Sequence, residues 1–190
     1  MTQNHSKALA AIGSLALLFT AACSQDASAP ADMSTQEKTT QTVAGVVGSD
    51  GDLSTLARAL KDTGLAAMLD EQASYTVLAP TDDAFAALGE DGKALTDEAN
   101  SAVLAAVLRE HLVPGALTPE AVEQAVADKG GPVTMRTFGE GSVTFSVDNG
   151  VLTVTGADGA KAALASGALA GSNGVVIPLD AVIATPSKDG

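Results

Sequence analysis

The chain contains no tryptophan, one tyrosine and four phenylalanines. A core this poor in large rings rests on aliphatic packing, and each buried ring carries a disproportionate share. Cysteine occurs once, at Cys23, so no intramolecular disulfide is possible and the fold is held by its core alone. Past the first 22 residues a single histidine remains, His111. No second histidine, later cysteine or spaced set of carboxylates is there to complete a metal site with it. A Ser-His-acid triad has no nucleophile-elbow pattern to build on. Gly139–Gly141 lack the spacing and the lysine of a phosphate loop. No catalytic residue, metal or cofactor is therefore expected. Positive charge is also scarce: ten Lys and Arg stand against 23 Asp and Glu, a formal net charge of −13. That balance excludes nucleic acid, whose phosphates need Lys and Arg. It disfavours attachment to anionic lipid head groups by charge alone. The acids themselves read as a solubility device.

Long hydrophobic runs are missing too. Ala8–Thr20 is apolar but too short for an ordinary membrane span. Lys7 and the amino terminus precede it, and Ala21-Ala22-Cys23 follows it with small residues directly before the lone cysteine. Residues 1–22 thus resemble a bacterial lipoprotein signal peptide, in which the Cys23 thiol is lipidated and becomes the new first residue. Thr20 departs from that pattern, which usually has Leu there. The plain alternative is a secretory signal cut nearby with Cys23 incidental. Either way the protein is exported, to the periplasm or the cell surface, with a membrane reached only through the lipid anchor. Residues 23–42 are polar, with Pro30, several Ser and Thr and no apolar period. They read as a flexible tether in front of one domain, 43–187.

The best-specified stretch of that domain is Tyr75–Leu88, YTVLAPTDDAFAAL. Thr76, Val77 and Leu78 are strand formers. Pro80 cannot donate a ladder hydrogen bond, which predicts that pairing stops there. Thr81 is a good N-cap, and Asp82 and Asp83 follow in the first turn, where the helix dipole favours negative charge. Phe85 and Leu88, three apart, share the buried face. Asp82-Asp83 also invites reading as a paired carboxylate for acid–base work, but the helix start accounts for both without an active site.

Upstream, Ser49–Asp52 is a turn without the spacing or terminal Glu of a calcium loop. Leu53, Leu56 and Leu60 fall on one helical face; Gly64 breaks that helix, and Leu65, Met68 and Leu69 form a second. Downstream, Gly89–Leu95 reads as a polar loop and Thr96 as the cap of a longer helix carrying Val103, Leu104, Val107, Leu108 and His111, ended by Pro114-Gly115. His111 on this apolar face reads as a partly buried imidazole bonded to nearby backbone. Thr118-Pro119-Glu120 opens another helix with Val122 and Val126 on its stripe. The period then changes to strands: Thr134–Phe138, Ser142–Val147, Val151–Thr155, Lys161–Ala165 and Gly174–Ile183. Asp148-Asn149-Gly150 is a hairpin turn. Pro178 in the last strand predicts an edge position or a bulge. Helices first and strands later, with one strand among the helices, give an α+β domain.

Four ordered segments sharpen this reading. TVLAPTDDAFAAL resembles the T-V-F-A-P-T-N-x-A-F signature of fasciclin domains. LSTLARALKDTGLAAML resembles the paired helices before that signature, LREHLVPG the Y-H-V-V-P-G segment, and NGVVIPLDAVIATP the second signature, N-G-V-V-H-V-I-D. Glu110 stands where the family usually has Tyr, and Ile177-Pro178 where it usually has His-Val. The resemblance implies a β-sandwich or wedge of two sheets with helices alongside. It also implies cell adhesion or envelope and extracellular-matrix interaction by surface binding, not catalysis. The partner would be an envelope or extracellular protein, or a polysaccharide. A carbohydrate-binding module is the alternative, although such sites usually stack exposed aromatics on sugar rings; an unrecognised enzyme is a more distant one. The motif residues that carry over, chiefly in structural roles, are Thr81, Asp83, Phe85, His111, Pro114, Gly115, Asn173, Gly174 and Asp180. Because Glu110 replaces the tyrosine, the receptor binding associated with that segment does not carry over.

Overall fold

A computed structural model describes residues 40–184. All of these fall within the unit Ala31–Gly190; the signal peptide, Cys23 and the tether as far as residue 39 lie outside the described residues. The chain opens with helix α1 (Val43–Ser49), a 3-10 turn Gly51–Leu53, α2 (Ser54–Asp62) and α3 (Leu65–Leu69). Strand β1 (Tyr75–Pro80) is followed by α4 (Asp82–Ala87), α5 (Glu90–Leu95), a 3-10 turn Glu98–Asn100, α6 (Ser101–Glu110), β2 (Leu112–Pro114) and α7 (Pro119–Lys129). The rest is strand: β3 (Val133–Arg136), β4 (Ser142–Asp148), β5 (Val151–Thr155), β6 (Lys161–Ala163), β7 (Leu169–Gly171) and β8 (Gly174–Leu179).

Two four-stranded sheets result. One is mixed, in the order β2-β1-β8-β7; the other is the antiparallel meander β3-β4-β5-β6. β1 and β8 run parallel at the centre of the mixed sheet, with Tyr75 opposite Gly174 and Pro80 opposite Leu179. Both are buried along their whole length, which is why neither alternates in polarity. One face of this sheet (Val77, Ala79, Leu112, Val176) packs on the helices α1–α6, with Leu53, Leu56, Leu60, Leu69, Phe85 and Leu108 in the same cluster. The other face (Leu78, Val113, Ile177, Leu179) packs on Phe145, Leu152 and Val154 of the meander, with Val122 of α7 joining them. The architecture is the expected α+β sandwich of two sheets with a helical layer, built on aliphatics around a few rings.

Local expectations hold where cap chemistry is strong. Thr81 accepts from the Ala84 amide at 3.2 Å, and Thr118 from Ala121 at the same distance. Gly64 takes φ +75° between α2 and α3. Asn149 and Gly150 take φ +54° and +81° in the two-residue β4–β5 turn, the arrangement whose twist matches the flanking strands.

Five expectations need correction. Gly89–Leu95 contains helix α5, not a loop. Thr96 closes α5, bonding back to the Gly92 carbonyl at 3.0 Å, and the next start signal is Asp97, which accepts from Ala99 at 2.9 Å. Val103 is 41 % exposed because the buried stripe of α6 is Leu104, Val107 and Leu108. At Pro80 pairing continues on the β8 side, where the Thr81 amide donates to Leu179 at 3.0 Å; on the β2 side it ends at Val77. Pro178 sits in an interior strand, but past Val176, where β7 ends; its carbonyl there accepts from Ala165 at 2.9 Å, and its missing N–H leaves no donor unpaired. The short strands β2 and β7 and helix α1 were not foreseen.

Candidate functional site

The parallel β1–β8 pair sorts the motif residues to its two ends. At its start lie Asn173 and Gly174, beside Pro114 and Gly115, since Tyr75 pairs with both Pro114 and Gly174. At its finish lie Thr81, Asp83 and Asp180. His111 is buried between them, its carbonyl accepting from Leu78 of β1 at 2.8 Å.

At the first end the side chains of Asn173 and Thr76 are used by the fold. The Asn173 amide donates to the carbonyls of Leu69 (2.8 Å) and Glu71 (2.9 Å), and its oxygen accepts from the Val43 amide at 2.9 Å. One side chain thus ties the end of α3 and the start of α1 to the β7–β8 turn. A Cβ at Gly174 would overlap the Tyr75 carbonyl, so only glycine lets the two strands approach. Gly115, at φ +95°, accepts from the Thr76 hydroxyl at 2.6 Å, and Thr76 in turn accepts from Leu117 at 2.8 Å. Pro114 ends β2 exposed.

His111 is 1 % exposed, deeper than the partial burial expected. Its Nε2 faces the Ile183 amide at 3.1 Å and its Nδ1 the Val107 carbonyl at 2.9 Å. An amide N–H can only donate, so Nε2 is the acceptor and Nδ1 carries the proton. The imidazole therefore clamps the C-terminal segment to the last turn of α6. Burial pushes its pKa down to about 4, against the opposing effects of the Val107 carbonyl, Glu110 and Asp158. At neutral pH it is an uncharged strut with both nitrogens occupied, which removes it as a general base.

Glu110, which the sequence marks only as a departure, caps the β3–β4 turn. Its carboxylate accepts from the Thr137 hydroxyl (2.7 Å) and the amides of Glu140 (2.9 Å) and Gly141 (3.1 Å). Side chains at Gly139 or Gly141 would collide with it.

At the other end Thr81, Asp82, Asp83, Asp52, Ser166 and Asp180 rim an open cleft of about 320 Å³. The two adjacent aspartates do different work. Asp82 reaches back to α2, accepting from the Ser54 hydroxyl (2.5 Å) and the Thr55 amide (2.7 Å). Burial alone would raise its pKa, but these bonds outweigh it and hold the carboxyl below the ordinary aspartate range. Asp83 is exposed in the first turn of α4. Asp180 accepts from the Ala163 amide at 2.7 Å, tying β8 to β6. Among the described residues no group of three or more acids, histidines or cysteines is arranged to hold a metal. Phe85 is 6 % exposed and belongs to the helical core.

Fold and site together define a small α+β sandwich whose motif side chains hold segments together. The fasciclin domain model matches residues 51–186, and the chain belongs to the fasciclin family. It is 33 % identical over 171 residues to protein sll1483 of a Synechocystis species, covering 83 % of this chain and 87 % of that protein. It is 30 % identical over 149 residues to the transforming growth factor-beta-induced protein ig-h3 of Sus scrofa, covering 77 % of this chain and 20 % of that one. The fold matches a FAS1 domain pair from the insect cell adhesion molecule Fasciclin I with a TM-score of 0.66 at 19 % identity, covering 76 % of this chain and 51 % of the pair. The chain thus spans a fifth of the porcine protein and about half of the insect pair. Fasciclin-domain proteins are associated with cell adhesion or extracellular interaction and are generally not enzymes. Among the described residues no helix is long and apolar enough to cross a membrane.

Proposed function

We propose that this protein is exported, held to a membrane through a lipidated Cys23, and acts by surface contact with an envelope or extracellular protein. The observation that carries the binding reading is the occupancy of the buried polar groups. His111, Asn173 and Thr76 all have their partners within the fold, and among the described residues no buried side-chain polar atom lacks one. Reactive side chains need spare valences aimed into a pocket; these have none to spare, which leaves the exposed surface to act. Polysaccharide is a second reading, favoured by Phe138, a ring 39 % exposed and set against Tyr75 at 5.6 Å between centroids.

The anchor is tested by fractionation: Cys23→Ala is expected to move the protein from the membrane to the soluble exported fraction, because acyl chains supply the affinity. Retention on the membrane after a salt wash would refute lipidation. The partner class is tested by immobilising the Cys23→Ala chain and presenting envelope extract. Capture that protease treatment of the extract abolishes supports a protein partner, whereas capture that survives protease and is lost after glycosidase supports the polysaccharide.

A further inference from the structure

The dipeptide Asn-Gly occurs twice, at Asn149-Gly150 and Asn173-Gly174. It is the pair most prone to intramolecular attack, because glycine has no side chain to shield its amide nitrogen. The fold places the two copies in opposite circumstances. Asn149 is exposed at the tip of the β4–β5 hairpin with Gly150 exposed beside it. Its side-chain amide makes no hydrogen bond among the described residues. Asn173 holds three hydrogen bonds, to Leu69, Glu71 and Val43. Its Gly174 is buried, with backbone wedged against the Tyr75 carbonyl.

We propose that Asn149 is a spontaneous modification site of this protein, converting to aspartate and isoaspartate in the folded state, and that the fold protects Asn173 from the same reaction. The Gly150 amide nitrogen attacks Asn149 Cγ. A C–N bond forms, the Cγ–Nδ2 bond breaks, and ammonia leaves with the proton from the glycine amide. Water then opens the succinimide at either carbonyl. One route gives aspartate; the other gives isoaspartate, with the backbone running through Cγ. At Asn173 the same attack requires the side chain to leave all three partners and the β7–β8 turn to open. Its rate is therefore scaled down by the population of that open state.

The product at Asn149 matters to the hairpin. Either form adds a carboxylate beside Asp148. The isoaspartyl form also adds a backbone atom to a turn that fits its strands only with two residues at positive φ. Pairing of Asp148 with Val151 then loosens, and the β4–β5 hairpin frays from its tip.

The test is peptide mass spectrometry of the full chain aged in mildly alkaline buffer, native and in concentrated urea, with aspartate and isoaspartate resolved chromatographically. In the native protein, conversion at Asn149 is expected to outrun conversion at Asn173 by at least roughly tenfold, and in urea the two rates are expected to converge. Equal native rates, or no native conversion at Asn149, would overturn the proposal. A difference that persists undiminished in urea would overturn the protective role of the fold. Asn149→Asp supplies the product directly, and faster amide exchange at Val151 in that variant is the expected structural consequence.

Discussion

Acidification should destabilise this protein through His111 before its carboxylates titrate. The imidazole has an ordinary pKa of 6.5 when unfolded and about 4 when folded. Its folded value is depressed, so below pH 6.5 the unfolded chain binds a proton that the native state refuses, and stability falls as pH falls. The contribution is fully present above 6.5 and is lost progressively down to about 4, where the native imidazole also protonates. Over the whole window the loss is about 3 kcal/mol, at roughly 1.4 kcal/mol per pH unit. About 2 kcal/mol of it falls above pH 5, clear of the ordinary carboxylate range. The structural cause is specific. Protonated Nε2 would present a donor to the Ile183 amide, another donor, 3.1 Å away, at a ring only 1 % exposed. Urea titrations at a series of pH values between neutrality and about 5 read this slope directly. His111→Gln cannot take up the proton. It is expected to be less stable at neutral pH by about 1–3 kcal/mol through imperfect replacement of two buried bonds, and to lose most of the slope. Parallel pH dependences in parent and variant over that window would refute the assignment of the slope to His111.

Phe85→Ala should cost about 3–4 kcal/mol, as a large-to-small change at a 6 % exposed ring in an aromatic-poor core; a parent-like denaturation midpoint would contradict that packing. Asp82→Ala should cost about 1–2 kcal/mol by leaving Ser54 and Thr55 without their acceptor. Asp83→Ala should stay within roughly 0.5 kcal/mol as an exposed substitution, and chemical denaturation of the pair gives the ranking. Glu110→Ala removes one acceptor from three donors in the β3–β4 turn and should speed amide exchange at Glu140 and Gly141; unchanged exchange there would refute the carboxylate's role in protecting those amides.

The fold was legible wherever a signal was local. Thr81, Thr118, Gly64 and Asn149-Gly150 each set their own backbone within a few residues, and each element lies where its cap or turn puts it. The failures share one cause. Strands β2 and β7, three residues each, exist because a central strand offers them a ladder, and no period shows in so short a run. Helix α5 carries a glycine in its middle, and it persists because that residue packs beneath Leu88, where a Cβ would meet the Phe85 carbonyl. Pro178 marks an edge in sequence terms, but the edge is only the local end of β7. Of the two aspartates, the resemblance singles out Asp83, and the bonds beyond the helix end belong to Asp82, because only the approach of α2 decides which carboxylate faces it.

The same dependence on tertiary approach explains how Glu110 fits a place usually held by tyrosine. A carboxylate at the last residue of α6 is unfavourable for the helix, because the dipole there is negative. It is retained beside a turn written Gly-Glu-Gly, whose two amides and one neighbouring hydroxyl converge on it. Glycine at 139 and 141 is a consequence of the same choice, since either side chain would collide with the carboxylate. The favourable bonds to the turn offset the helix-end penalty, and Glu110 becomes one unit with a turn 27–31 residues further along the chain. An exposed tyrosine would offer an apolar ring to a partner, whereas this glutamate turns inward to organise its own loop. Glu110 is then a structural residue in this chain.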